Sequence, residues 1–365
     1  MPSKPITSAS GARSPTAGCM CASVPGRSRL TKSTGERYAV DVVTFPFEIG
    51  GPSFRARQVR AWVFQRYARS FEEMTDLPLG EREQLAKRYP SIRPEPAATW
   101  EADGGETQKA LFDGSYETVA MRYPDRRTVC VSSQAGCGLG CTFCATGQMG
   151  LVRNLSAWEI VSQVLWAARV FAERPTNVVM MGMGEPLANY DNVVEAIRAI
   201  NDDVGISARK ITVSTVGLVP QIERLAAEPL PVTLALSLHA PDDETRSSLV
   251  PINKRWPVVE CMKAIKEFRK AHGRRVTIEY AMIDSVNDAS WQAKRLADLV
   301  RGSDVHVNLI PLNPTPGFGV PGSPRVEAFA RELRGLGVNV TVRDTRGRDI
   351  DAACGQLAAE AAARR

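Results

Sequence analysis

The chain of 365 residues is poor in four things, and each shortage excludes something. No apolar stretch approaches the length needed to cross a bilayer, which sets membrane insertion aside. The eight cysteines are too few and too unevenly placed for a disulfide framework, and no apolar core of a secretory signal is present. Histidine occurs only as His239, His272 and His306, so a closed zinc site near the clustered cysteines lacks a partner. No acid precedes Glu36, and residues 1–36 are rich in Ser, Pro, Ala, Gly and basic side chains without an apolar period. That composition predicts a disordered tail, a transit peptide being the alternative. Cys19 and Cys21 lie within it, too isolated to make a site.

The remainder has the composition of a globular protein, 44% hydrophobic and 24% charged. A net charge of +6 permits a nucleic-acid partner without demanding one. Between Phe54 and Pro90 the pattern is helical: Val59, Trp62, Val63 and Tyr67 recur at helical spacing, with Arg55, Arg60, Arg66 and Arg69 on other faces. A second helix is expected through Gln84 and Leu85, so residues 37–100 read as a small helical accessory domain that binds RNA. From residue 107 short β-rich runs alternate with helical stretches. Strands are expected at Thr128–Ser133, Asn177–Gly182, Ile211–Val216, Val232–Leu238, Val276–Ile283, Val305–Ile310 and Val338–Arg343. Helices are expected at Ala157–Phe171, Val193–Asn201, Val258–Lys270, Ser290–Val300 and Val326–Leu336. Such alternation predicts an α/β fold, a partial or closed (β/α) barrel over 107–357 with its active site at the C-terminal strand ends; residues 358–365 would finish a terminal helix.

Three cysteines crowd into GCGLGCTFCATG, where Cys137, Cys141 and Cys144 are spaced C-x3-C-x2-C after the first barrel strand. In a reducing compartment, hence the cytoplasm, such crowding reads as metal or redox chemistry. Thiolates select zinc or iron–sulfur clusters, and both a structural zinc and a ferredoxin cluster need a fourth ligand that is missing here. Three ligands on a four-iron cluster leave one iron open for chemistry. On residue type alone the other candidates are plainer. Cys130 in TVCVSS reads as a small core residue, Cys261 likewise, and Glu117 in YETV as a solvent-facing strand residue. Cys354 in DIDAACGQLAAE lies near an expected helix start, whose positive end lowers a thiol pKa.

The C-x3-C-x2-C spacing with Phe143 before its last cysteine resembles the radical S-adenosylmethionine superfamily. The longer motifs CVSSQAGCGLGCTFCATG, MGMGEPLANY, VSTVGLVP, ALSLHAP, LIPLNPTPG and TRGRDIDAACGQL, with FRARQVRAWVF and MTDLP, resemble the dual-specificity RNA adenine-C2 methyltransferases, the RlmN family, from about Phe54 to Leu357. The tail departs from that pattern. The resemblance implies a barrel of radical SAM type, one 4Fe-4S cluster per subunit on Cys137, Cys141 and Cys144, and two S-adenosylmethionine molecules consumed per methylation. It implies cofactor contacts at Gly184, Glu185, Ser214, Ser237, Leu238, His239 and Asn313. It further implies that Cys354 carries the methyl carbon, that Glu117 removes the C2 proton, and that Cys130 releases the product through a transient disulfide with Cys354. In a closed barrel the last strand lies beside the first, which would bring these thiols together. The implied partners are 23S rRNA, tRNA anticodon loops and an external electron donor such as flavodoxin or ferredoxin, with the enzyme a monomer. Arg55, Arg57, Arg60, Arg66, Arg69, Arg126, Arg127, Lys254, Arg255 and Trp256 are the candidate RNA contacts. The rival readings are methylation at adenine C8, as in the Cfr enzymes, a glycyl-radical activase, and a non-catalytic iron–sulfur RNA-binding protein.

Overall fold

The β-branched runs that follow residue 127 form parallel strands in the computed structural model, which describes residues 45–315 and 317–358. The Ser-rich tail with Cys19 and Cys21, residues 37–44 and the expected terminal helix from 359 onward lie outside the described residues. In chain order the first elements are α1 (Ser53–Phe64), α2 (Leu79–Arg88), β1 (Pro96–Ala102), β2 (Thr107–Phe112), β3 (Tyr116–Arg122), β4 (Arg127–Cys130), β5 (Gln134–Cys137), α3 (Ala145–Gln148) and β6 (Gly150–Asn154). There follow α4 (Ala157–Phe171), β7 (Asn177–Met180), α5 (Tyr190–Asp202), β8 (Ile211–Thr215), α6 (Val219–Ala226), β9 (Thr233–Ser237) and α7 (Asp243–Leu249). The last are α8 (Val258–His272), β10 (Val276–Met282), α9 (Ser290–Val300), β11 (Val305–Pro311), α10 (Val326–Gly335) and β12 (Val340–Val342).

One sheet runs β1-β2-β3-β4-β7-β8-β9-β10-β11-β12, and β5 and β6 form a separate hairpin. From β4 to β12 every neighbouring pair is parallel, as helical crossovers require. Strands β1 to β3 instead form an antiparallel meander against β4, and β1 takes up the last residues of the expected helical domain. Asp103-Gly104 and Asp113-Gly114 turn that meander with positive φ at each position, the chemistry that tight reversals demand.

The barrel is partial. Strand β12 pairs only with β11, so the expected neighbouring of last and first strands does not occur. The chain after β12 covers the gap instead. Gly347 N donates to Asp103 Oδ2 at 3.1 Å, Ala145 N to the Gly355 carbonyl at 2.9 Å, and Thr146 Oγ1 to the Leu357 carbonyl at 2.5 Å.

The helical segment shares the barrel's core. Phe47 and Phe64 each meet Trp158 of α4 edge-on, with centroids 5.9 Å apart, and Val59, Val63 and Phe71 join the same buried cluster. A capping box at Ser156 and Glu159 starts α4. Deeper along that helix, Gln163 Oε1 accepts from Ser132 N at 2.7 Å and Gln163 Nε2 donates to Ser132 O at 3.0 Å. Among the described residues no helix is long and apolar enough to cross a membrane.

The strand ends on the far side are gathered by Arg246, a fully buried cation. It donates to the carbonyls of Leu238, Val216 and Ser237 and to Asn253 Oδ1. Arg246→Leu would leave these acceptors buried and unpaired, so stability should fall by about 3 kcal/mol in urea unfolding with little change in slope.

Candidate active site

Strand β5 delivers Cys137 as its last residue, and α3 begins directly after Cys144. Gly136 makes the hairpin possible: at φ +72°, a Cβ there would lie 2.0 Å from the Gly150 carbonyl oxygen. Burial pushes the Cys137 thiol up to about 11, with the charges of Glu185 and Cys144 adding to it. Cys141 is raised by burial and then by Cys144 and Cys137, and Cys144 is raised by burial. The thiols raise one another through their charges and need a cationic occupant to ionise. Among the described residues no three His, Cys, Asp or Glu side chains are gathered to hold a single metal ion. Three cysteines spaced C-x3-C-x2-C supply thiolate ligands for an iron–sulfur cluster with one iron left open, where a closed zinc site would need a fourth ligand. The donor set fits the cluster.

A cavity beside Cys141 and Cys144 is lined by Gly184, Glu185, Ser214, Ser237 and His239. Gly184 has φ +95°, and a Cβ there would meet Gln134 Cβ at 2.5 Å. Glu185 accepts from Val216 N at 2.9 Å and Leu187 N at 3.1 Å. Burial nevertheless pushes its carboxyl up to about 7, so an ammonium group arriving in the cavity would offset a desolvated charge. His239 Nδ1 accepts from Ala281 N at 3.0 Å, and burial, with the Arg246 charge, pushes its pKa down to about 3. The ring is therefore neutral with its proton on Nε2, and it meets Phe143 edge-on at 4.8 Å. The Ser214 and Ser237 hydroxyls stand 3.2 Å apart. The carboxylate, the hydroxyls and the apolar wall of Met180, Val216 and Leu312 suit a ligand that is ammonium at one end and aromatic at the other. Two expected contacts are placed elsewhere: the Leu238 side chain is fully buried, and Asn313 lines the next cavity.

That smaller cavity holds Cys130 and Cys354 together, and Cys354 also lines the cavity of Glu185 and His239. Cys354 does not stand at a helix start. It lies in a turn, its carbonyl accepting from Asn313 Nδ2 at 3.4 Å, and its thiol is raised by burial against the opposing charge of Arg343. The residue as a whole is exposed, while its thiol is turned into the protein, where it lines both cavities. Cys130 is buried, and burial followed by the Cys354 charge pushes its thiol up to about 12.

Glu117 is fully buried rather than solvent-facing. It lies on the strand face that carries Val119, opposite Cys130 in the register, with Lys109 Nζ 3.2 Å from Oε1. The Ser132 hydroxyl donates to the Glu117 carbonyl at 2.5 Å and accepts from Met183 N at 2.8 Å. Lys109, Met181, Glu279 and Arg343 were not among the expected site residues. Arg343 directly follows the last strand, where the strand-end rule already pointed.

The basic residues are less gathered. On α1, Arg55 pairs with Glu81 and Arg60 with Asp203, each at 2.5 Å, while Arg66 and Arg69 face Asp76 and Glu95 at 3.9 and 3.6 Å. Arg57 is left with a 3.5 Å contact to Ser53 Oγ. Arg126 and Arg127 stand where β4 begins, at the end of the strand away from Cys130, and pair with Asp125 and Glu173. Arg255 stacks on Trp256 at 4.7 Å beside Lys254.

Two family models match the chain: the radical SAM superfamily over residues 131–297, and the ribosomal RNA large subunit methyltransferase N-terminal domain over residues 41–89. A probable dual-specificity RNA methyltransferase RlmN of Salinispora tropica is 56% identical over 334 residues, 87% of this chain and 90% of the relative. One from Thermobifida fusca is 55% identical over 333 residues, 86% of this chain and 91% of its own length. The crystal structure of a radical SAM methyltransferase from Sphaerobacter thermophilus superposes with a TM-score of 0.81 at 51% identity, covering 85% of this chain and 94% of that one. A radical SAM barrel preceded by that N-terminal domain, with relatives matched along nearly their whole length, leads to one conclusion: the chain belongs to the dual-specificity RNA methyltransferase RlmN family of the radical SAM superfamily.

Proposed function

We propose that the enzyme methylates C2 of adenine in 23S rRNA and in tRNA anticodon loops, using Cys354 as carbon carrier and Cys130 as the thiol that releases the product. One observation carries this reading: the two cysteines, 224 positions apart in the sequence, line one cavity, and the exposed one also borders the cofactor cavity. Bound to the enzyme, the 4Fe-4S cluster and S-adenosylmethionine supply the methyl group and the radical chemistry that activates it, at one cluster per subunit and two S-adenosylmethionine molecules per turnover.

The protein's own residues account for the remainder. Cys137, Cys141 and Cys144 hold the cluster, and Glu185 takes the methionine ammonium. His239 offers Nε2–H as a fixed donor, and Ser214 and Ser237 offer hydroxyls. Gly184 keeps the backbone close to the ligand, and the buried Leu238 contributes its chain path rather than its side chain. Asn313 holds the carbonyl of Cys354, so its part is with the carrier loop. An adenine must leave its stack to reach Cys354. Glu117 then removes the C2 proton from the covalent adduct, and Lys109 stabilises the carboxylate that does so. Cys130 attacks Cys354, and the methylated base departs. The proposed setting is cytoplasmic, as a monomer served by an external electron donor such as flavodoxin or ferredoxin. The stacked Arg255–Trp256 pair with Lys254 is the best candidate RNA contact, because most cations of α1 already have carboxylate partners.

Four outcomes are expected. Cys354→Ala should abolish RNA methylation, while Cys130→Ala should leave labelled RNA covalently on Cys354, seen as a slowed band in denaturing gels; absence of the band would count against the two-thiol route. Glu185→Gln should weaken S-adenosylmethionine binding at least tenfold by calorimetry while the cluster's visible absorption is kept. Mass spectrometry of 23S rRNA from a deletion strain should show loss of 2-methyladenosine, and loss of 8-methyladenosine would assign the other carbon.

A further inference from the structure

Two side chains, Met181 and Arg343, border all three central cavities: the thiol cavity, the cofactor cavity and a cavity of about 450 Å³ at the strand starts. Thr128, Asn177, Thr212, Thr233 and Thr277 line the last of these. Arg343 Nη1 contacts Met181 Sδ at 3.5 Å, and the Arg343 backbone N–H is pinned to the Leu309 carbonyl at 2.8 Å. Glu279 is buried, and its Oε1 accepts from Asn308 Nδ2 at 2.9 Å and from Thr277 Oγ1 at 3.2 Å. Its Oε2 accepts no hydrogen bond among the described residues and faces Arg343 Nη1 at 3.9 Å. The carboxylate is fixed from one side and turned to the guanidinium on the other.

We propose that Arg343, held by Glu279 and Met181 and lining one cavity with Cys130 and Cys354, is a positioning residue for thiol exchange: its guanidinium offsets the negative charge of the attacking Cys130 sulfur, and thereby sets how fast the protein–RNA adduct is resolved. The inference rests on the two-thiol reading given above. In the step concerned, the Cys130 sulfur attacks the Cys354 sulfur. An S–S bond forms, and the bond from Cys354 to the RNA-borne carbon breaks. Its electron pair leaves with the carbon, which gains a proton to complete the methyl group; the sulfurs lose two electrons and the carbon gains them. The Cys130 proton must leave first, since only a thiolate attacks. Burial opposes that ionisation, and Arg343, in the same cavity, is the cation set against it. The other titratable groups around the cavity are Tyr123 beyond β3, and Asp344 and Arg346 beyond β12. Just beyond β7 the cavity is lined by Met181, which carries no charge.

The test uses the full chain with its cluster assembled in vitro and no S-adenosylmethionine, so that Cys354 is a free thiol. Diamide adds to exposed Cys354, and Cys130 then displaces it: two thiols become a disulfide and the diazene becomes a hydrazine. Acid quenching and peptide mass mapping give the lifetime of the Cys354 adduct across neutral to alkaline pH. Arg343→Met should lengthen it about tenfold or more at neutral pH and move the profile to higher pH, one pH unit being about tenfold in thiolate. Arg343→Lys should restore most of the rate, and Arg343→Gln, which keeps hydrogen bonding without charge, should not. Buried Cys261 should stay unmodified in every variant, which reports an intact fold. If the wild-type adduct never resolves onto Cys130, the two-thiol reading fails. If it resolves and the Met and Gln variants match it at every pH, the role given to Arg343 is wrong while that reading stands.

Discussion

The active site hangs on the hydrogen bonds around Ser132, just beyond β4. Gln163 occupies both backbone groups of Ser132, and the Ser132 hydroxyl joins the Glu117 carbonyl to Met183 N. All of these groups are buried, so each bond is made in a medium where losing it leaves an unsolvated dipole. One residue thereby fixes β3, the exit of β4 and the exit of β7 against helix α4. The hairpin that carries Cys137 and the turn that carries Gly184 and Glu185 both depart from this point.

Electrostatics then sets the terms of the chemistry. The thiols and Glu185 lie where burial disfavours their charged forms. A protein could lower that cost by opening the site to water, but radical chemistry gains from a dry one. This chain keeps the burial and supplies charge locally, with Arg343 beside the thiol pair and Arg246 behind the strand ends.

Much of this was legible in the residues. All seven expected barrel strands exist, each within two residues at its start, and Ala157–Phe171 and Ser290–Val300 match their helices end for end, because buried parallel strands and amphipathic crossovers have distinct periods. The meander β1 to β3 was not assigned, although Asp103-Gly104 and Asp113-Gly114 announced its reversals. Its strands carry Lys109 and Glu117 on a buried face, which hides the usual alternation of apolar and polar residues. The same burial explains why Glu117 looked solvent-facing: a carboxylate goes inside only with a partner, and that partner lay on another strand. The cysteine loop was readable because its ligands are close in sequence. The Arg343–Glu279 pair was not, since no local pattern joins residues from β10 and the end of β12.

The segment that covers the open side of the barrel also orders the assembly of the enzyme in time. Its bonds reach back to Thr146 across 211 positions and to Asp103 across 244. A chain made from its N-terminus can pair strands and bury most of its core as they emerge. The thiol cavity cannot exist until residues 344–358 have been synthesised and have crossed the gap. A chain stopped before that point has neither Cys354 nor the bonds from Ala145 and Thr146 that tie the cysteine loop to this segment. The meeting of Cys130 and Cys354 therefore waits on the last segment of the described fold.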